Sequence, residues 1–258
     1  MKLPDLPESP VYLLRQWPRG IRVLESVPFR SGYDADSLIA LCHWAGMSGP
    51  SALRQTGIAY SGVCRLAKLA RMDRHGAHYH HSGHVAHVVM AAGLLAAADN
   101  LPQSDTNLLL LAALVHDLDH QGYHRSRALY DAEWRSAQMA KAVLLRRGSD
   151  ARLTQRLERL LLATSFSDDV LRDEILATDR LASYLVDADL FASTFYARGL
   201  SMALTGHVKA EDRLTDSRLD LAGGFARQTR NRGFYTAVAA DLHAGLPDGY
   251  SILSREIV

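Results

Sequence analysis

With 258 residues, 48% of them hydrophobic and 22% charged, the chain is long enough to bury a full core and has an ordinary globular composition. A formal net charge of +1 gives bulk electrostatics no reason to gather nucleic acid or an acidic membrane surface. Cys42 and Cys64 are too few for a disulfide framework, and the start Met1-Lys2-Leu3-Pro4 lacks the apolar run of a secretory signal, so a cytoplasmic location is expected.

Proline divides the chain. Six of the eight prolines lie at or before Pro50, and none falls between Pro102 and Pro247. Interior proline costs a helix about 3 kcal/mol, so the proline-free interval suits a helical body. The first thirty residues, with Pro4, Pro7, Pro10, Pro18 and Pro28, read as an irregular arm over the surface. Residues 1–50 are therefore taken as this arm plus a first helix packed on the body, and 51–258 as the main domain.

Within the body, Val85, Val88, Val89, Ala92 and Leu95 recur at three- and four-residue spacing, which predicts a helix from His78 to Ala98, stopped by Asn100-Leu101-Pro102. The next helix, capped by Asp105 or Thr106, carries Leu108 to His116, and Gly122 breaks the chain after it. Further helices are expected over about 131–147, 152–163, 168–204 and 211–244, with joints at Gly148, at Ser165 to Asp168 and at Gly206. The apolar run from Leu108 to Val115 is too short to span a bilayer. No segment alternates with β-branched enrichment, and the fold class expected is all-α, a compact multi-helix bundle.

The chemistry concentrates in the histidines. His75, His78, His80, His81, His84 and His87 fall within thirteen positions. On a helix starting near His78, His80, His84 and His87 would share one face. A second group, His116-Asp117-Leu118-Asp119-His120, closes the most apolar run of the chain. Burying imidazole and carboxylate together without a partner is costly, and a divalent metal satisfies both. A further oxygen ligand is available from Leu185-Val186-Asp187-Ala188-Asp189-Leu190. Asp187 and Asp189 cannot share a helix face, so one is a ligand candidate and the other a cap, an internal acceptor or solvent exposed.

His84, then His116-Asp117, then Asp189 resembles the H…HD…D signature of HD-domain metal-dependent phosphohydrolases, and is most similar to the catalytic domain of class I 3′,5′-cyclic-nucleotide phosphodiesterases. The family segment Y-H-N-x-x-H-A-x-D-V is matched by Tyr79-His80-His81-Ser82-Gly83-His84-Val85-Ala86-His87-Val88. Its H-D-V-D-H-P-G is matched by His116-Asp117-Leu118-Asp119-His120-Gln121-Gly122, and its C-A-D-L by Asp187-Ala188-Asp189-Leu190. The resemblance spans roughly residues 79–235.

What the resemblance implies is an HD-type catalytic domain with two divalent metal ions, drawn from zinc, magnesium, manganese and iron. It selects Asp189 over Asp187, and assigns His84, His116, Asp117 and Asp189 to the first ion, with Asp117 bridging to a second that is mostly water-held. His80 takes the place of the acid that protonates the leaving alkoxide, Glu133 that of the glutamate orienting it, and His120 completes the catalytic set. Tyr79, Asn231 and Phe234 would line the substrate. The implied partner is a small phosphoester, a nucleotide above all, with no nucleic acid or membrane; the arm would cover the pocket or support a homodimer.

The chain departs from the family pattern at His81, where the family has asparagine, at His87 for aspartate, at Gln121 for proline and at Arg125 for asparagine. Asn231-Arg232-Gly233-Phe234-Tyr235 resembles the family's Q-V-G-F-I, with Asn231 shorter than the glutamine that reads a purine edge. The same segment also reads as a glycine-interrupted helix with Phe234 in the core. Three other readings stand beside the cyclic-nucleotide one: an HD hydrolase of another nucleotide or small phosphate ester, an HD-fold di-iron oxygenase, and a non-catalytic HD sensor. The oxygenase would need histidines between the HD pair and the last aspartate, where Tyr130 to Leu190 has none.

Overall fold

The computed structural model describes residues 6–71, 79–118, 120, 131–165, 169–211, 233–251 and 253. In chain order its helices are α1 (Pro10–Arg15), α2 (Ile21–Ser26), α3 (Ala35–Trp44), α4 (Pro50–Gln55), α5 (Tyr60–Ala70), α6 (Ser82–Ala98), α7 (Gln103–Val115), α8 (Asp131–Arg146), α9 (Ala151–Leu162), α10 (Asp169–Thr178), α11 (Arg180–Thr194), α12 (Arg198–Glu211) and α13 (Ala237–Ala244). Among the described residues there is no strand, only an isolated bridge between Ala197 and Tyr250. No described helix is long and apolar enough to cross a membrane.

Helix α6 is the axis of the molecule. Ser82 to Ala96 is buried without interruption, as befits a helix apolar on all sides. It packs on α7, whose residues Thr106 to Val115 are likewise buried, and on α11. The glycines and alanines of α6 set how close its neighbours come. A Cβ on Gly93 would stand 2.6 Å from that of Ala45, just past the end of α3, and one on Gly83 would stand 2.4 Å from the Arg30 carbonyl oxygen. Both positions therefore require glycine.

The proline-rich N-terminal region departs from the expected irregular arm. Pro10 sits at the first position of α1, where a proline costs no helix bond. Leu13, Ile21, Leu24 and Val27 are fully or almost fully buried in the main core. The segment after α2 is stitched to the start of α6: Ser82 Oγ accepts from Gly32 N at 3.0 Å and Tyr33 N at 3.2 Å, and the Tyr33 hydroxyl donates to the Pro28 carbonyl.

The joint at Gly148 is present, where a φ of +83° ends the turn between α8 and α9, and Asp150 caps α9 by accepting from Leu153 N. The expected helix over 168–204 is three helices. Asp179 ends one and caps the next, its side chain accepting from Leu181 N, and Phe195 to Ala197 separates α11 from α12. Gly206, expected as a joint, lies inside α12. Arg156 of α9 ties α7 to α11 by bonding Asp105 at 2.9 Å and Asp179 at 2.7 and 2.9 Å. Of the helix expected over 211–244, residues 212–232 lie outside the described residues, and α13 begins after a Thr236 cap.

Candidate metal centre

Three elements converge on one cluster. His84 stands in the first turn of α6, whereas His80 and His81 precede the helix, so the expected shared helical face of His80, His84 and His87 does not form. The reason is local: His81 is the N-cap, and its Nδ1 accepts from Gly83 N at 3.1 Å and His84 N at 3.3 Å. These are the bonds an asparagine N-cap makes, so the imidazole of His81 serves here as the helix cap. Helix α7 ends at Val115, and His116, Asp117 and Leu118 form the turn beyond it. His116 and His120 are thus related by a turn, with His120 N bonded to Asp117 O at 3.3 Å, and not by a helix face.

The geometry is tight. His84 Nε2 lies 3.1 Å from His116 Nε2, 3.2 Å from Asp117 Oδ2 and 3.1 Å from Asp189 Oδ1. His116 Nε2 lies 3.0 Å from Asp117 Oδ2 and 3.9 Å from Asp189 Oδ1. Donors about 2.1 Å from one ion and at right angles to each other are about 3 Å apart, so these edges fit a shared cation. The hydrogen bonding agrees for His116, whose Nδ1 donates to the Ala113 carbonyl at 2.9 Å and so turns the lone pair of Nε2 on the cluster. The Nδ1 of His84 is buried with no hydrogen-bond partner among the described residues.

Without an ion, the donor set pairs internally. Burial would lower the His84 imidazole, but its bonds to Asp117 and Asp189 outweigh that and push it up to about 9. His116 is also raised, with Asp117 overcoming burial. Burial works to raise both carboxyls, yet His116 holds Asp117 well below the usual range and His84 holds Asp189 below it. The two imidazoles and two carboxylates thus satisfy one another as ion pairs, and they are the donors that could hold a divalent cation.

Asp187 and Asp189 take opposite roles. Asp189 faces His84, whereas fully buried Asp187 accepts from Tyr235 N at 3.1 Å and from Thr236 N and Oγ1 at 2.8 and 2.7 Å. They point about 200° apart around α11. The resemblance selected the aspartate that meets the histidines.

Other expected residues also gather here. His80 stacks on His120 with ring centroids 3.6 Å apart, and one donor atom each of His80, Asp117 and His120 lie within 4.8 Å of one another. Glu133 of α8 is buried, bonded to Ser165 and within electrostatic reach of Asp117 and His80; burial first, then Asp117, raises its carboxyl. The Tyr79 ring lies 4.5 Å from that of His84. Phe234 is not brought to the cluster by any described ring contact: it is partly buried, its ring packs on Phe195 at 5.3 Å and His243 at 5.2 Å, and residues 233–236 form no helix, so the helical core reading of the segment does not hold either. Asn231 lies outside the described residues, as do Asp119, Gln121, Gly122 and Arg125.

His87 is structural. It is fully buried, bonded to the Val27 carbonyl at 2.9 Å and to the Tyr196 hydroxyl, and burial pushes it down to about 3. Sequence reasoning missed Phe29, whose ring sits over Tyr79, His81, His84 and His87 at 5.0 to 6.2 Å. Its one sequence signal is an aromatic immediately after Pro28, in the region taken for a surface arm. No protein-family model matches this chain, and no curated protein matches it.

Proposed function

We propose that the chain is an HD-type metal-dependent hydrolase of small phosphate esters, with 3′,5′-cyclic nucleotides as its first candidate substrates. The observation that carries this reading is the convergence of His84, His116, Asp117 and Asp189 from α6, the turn after α7 and α11, with four of five measured edges between 3.0 and 3.2 Å. A phosphodiester is an anion that repels hydroxide; divalent ions at such a site supply positive charge to its oxygens and a water of lowered pKa.

The chain's own residues supply the rest. His84 and His116 present Nε2, the latter locked in that tautomer by Ala113. Asp117 is in reach of both imidazoles and beside His80 and His120, and would be shared if two cations were bound. A leaving alkoxide is strongly basic, and an acid of near-neutral pKa contributes roughly 10²- to 10⁴-fold. His80 and Glu133 are titratable groups flanking Asp117. Phe29 and Tyr79 shield His84 from bulk water, which strengthens each charge interaction inside.

A second reading, an HD hydrolase of nucleoside monophosphates or other monoesters, needs the same ligands without a base clamp. The packing of Phe234 against Phe195 and His243 favours it. Turnover of cyclic AMP, cyclic GMP and a nucleoside monophosphate panel by the manganese-loaded chain separates the two. Cyclic-nucleotide hydrolysis supports the first, monoester hydrolysis alone supports the second, and no turnover of any ester by a chain with bound metal overturns both.

A further inference from the structure

The two imidazoles of the cluster are held in different ways. His116 Nδ1 donates to the Ala113 carbonyl at 2.9 Å, whereas His84 Nδ1 is buried with no hydrogen-bond partner among the described residues. A histidine that presents one ring nitrogen to a metal ordinarily anchors the other by a hydrogen bond, because its ring torsion is otherwise broad. Two aromatic rings pack on His84 instead. The Tyr79 ring lies 4.5 Å from it, the Phe29 ring meets it edge-on at 6.2 Å, and Phe29 and Tyr79 are 5.5 Å apart, so the three rings support one another. The segment that carries Phe29 is itself fixed. The Val27 carbonyl accepts from His87 Nε2 at 2.9 Å, and Ser82 Oγ accepts from Gly32 N at 3.0 Å and Tyr33 N at 3.2 Å. These bonds tie it to α6 on either side of His84.

We infer that Phe29 is a positioning residue of the metal centre: directly and through Tyr79, it holds the His84 ring in the orientation that turns Nε2 on Asp117 and Asp189. The inference rests on the reading of His84 as a metal ligand. It goes beyond the resemblance, whose matched residues begin at Tyr79 and leave the N-terminal segment outside the site. An imidazole free to turn about its ring torsion points Nε2 away from the other donors for part of the time, and ordering it when a cation arrives costs affinity. Packing removes that cost in advance. The Phe29 ring is only partly buried against the core, so its contribution to the fold is smaller than that of a fully buried aromatic. What the N-terminal segment adds is affinity for the cation.

The test is the metal affinity of the whole chain, read apart from turnover. Metal-free parent, Phe29→Ala and Ile58→Val are titrated with cobalt against a competing chelator. Ile58 is a fully buried core residue between α4 and α5, and its truncation controls for general loosening. Phe29→Ala should weaken cobalt binding roughly 10- to 100-fold, the usual effect of removing a group that orients a metal-bound histidine, with Ile58→Val close to the parent. The cobalt-shifted ring N–H resonances of the two histidines give a second readout. Exchange of the His84 proton with solvent should quicken in Phe29→Ala, while the His116 proton, bonded to Ala113, stays as in the parent. If Phe29→Ala does not fold, Phe29→Leu, which keeps apolar volume without the ring, makes the same comparison. Parent-like affinity in the folded Phe29 variant overturns the inference and leaves the metal site standing. Equal weakening by Ile58→Val, or equal quickening of both protons, overturns it too. A parent chain that binds no cobalt overturns the reading of His84 as a ligand, and the inference with it.

Discussion

The Gly83 backbone lies so close to Arg30 that a Cβ there would stand 2.4 Å from the carbonyl oxygen and 2.6 Å from the amide nitrogen. Both obstacles are main-chain atoms, which cannot swing aside as a side chain would. Gly83→Ala must therefore push the 28–33 segment away from α6, taking Phe29 off His84. The expected cost is about 1–3 kcal/mol, the range for overpacking, read as a lowered midpoint in denaturant. A variant of unchanged stability would contradict the close approach.

His116→Ala tests the first ion directly. Removing one of two imidazoles leaves Asp117 and Asp189 facing His84 alone, and bound metal and phosphoesterase activity should disappear together. Metal analysis and turnover on the same sample check this; full metal content in the variant would remove His116 from the ligand set.

The cap at His81 gives a prediction with two arms. Loss of an N-cap acceptor costs about 0.5–2 kcal/mol, and asparagine is among the best caps. His81→Ala should be destabilised by about 1 kcal/mol in denaturant unfolding, and His81→Asn should recover most of it. Equal stability of the two variants would mean that the Nδ1 contacts to Gly83 and His84 contribute nothing.

This cap is invisible to apolar periodicity, which starts the helix at His78 and puts His80 on its face. The helical body is legible because apolar spacing and missing prolines are local properties. The convergence of His84, His116 and Asp189 is readable only through motif order, because no local rule relates positions on three elements. What local reading misses is tertiary. Proline frequency gives no sign that α1 and α2 each bury one side in the core, and a residue such as Asp179 that both ends and starts a helix is invisible to periodicity. Phe234 follows neither reading in full: it packs on Phe195 and His243 from a non-helical segment at the edge of the core.

Asp179 also yields a pH prediction. Burial would raise its carboxyl, but bonds from Arg156 and from Leu181 N hold it below the ordinary value. A depressed folded pKa adds stability that is fully present above the unfolded value of about 3.9 and is lost as pH falls through the folded one. Asp179→Asn keeps the cap and removes the charge. With Arg156 partly exposed, screening limits the difference to about 1 kcal/mol at pH 7. Unfolding measured from pH 7 to pH 2 should show the two proteins converging at the acid end; a constant gap would assign the effect to shape.

The two aspartates of α11 should separate stability from metal. Asp187 carries three hydrogen bonds in a buried place, so Asp187→Ala leaves the Tyr235 and Thr236 donors unpaired at about 1–3 kcal/mol for each buried group. Asp189→Asn removes one of the two charges that hold His84 protonated, so the metal-free chain should lose some stability at pH 7, less than Asp187→Ala loses, while metal content falls. Thermal unfolding and metal analysis on both variants test this, and equal stability losses would merge the roles that the geometry keeps apart.

That division of labour bears on which changes the chain can survive. Each residue added to or removed from a helix turns everything beyond it by about 100°. One residue deleted between Arg180 and Val186 would swing Asp189 away from His84 and Asp187 away from Thr236 in the same event. Drift in α11 is thus confined to substitutions, and its length from Asp179 to Asp189 is as tightly specified as the identities of the residues it positions.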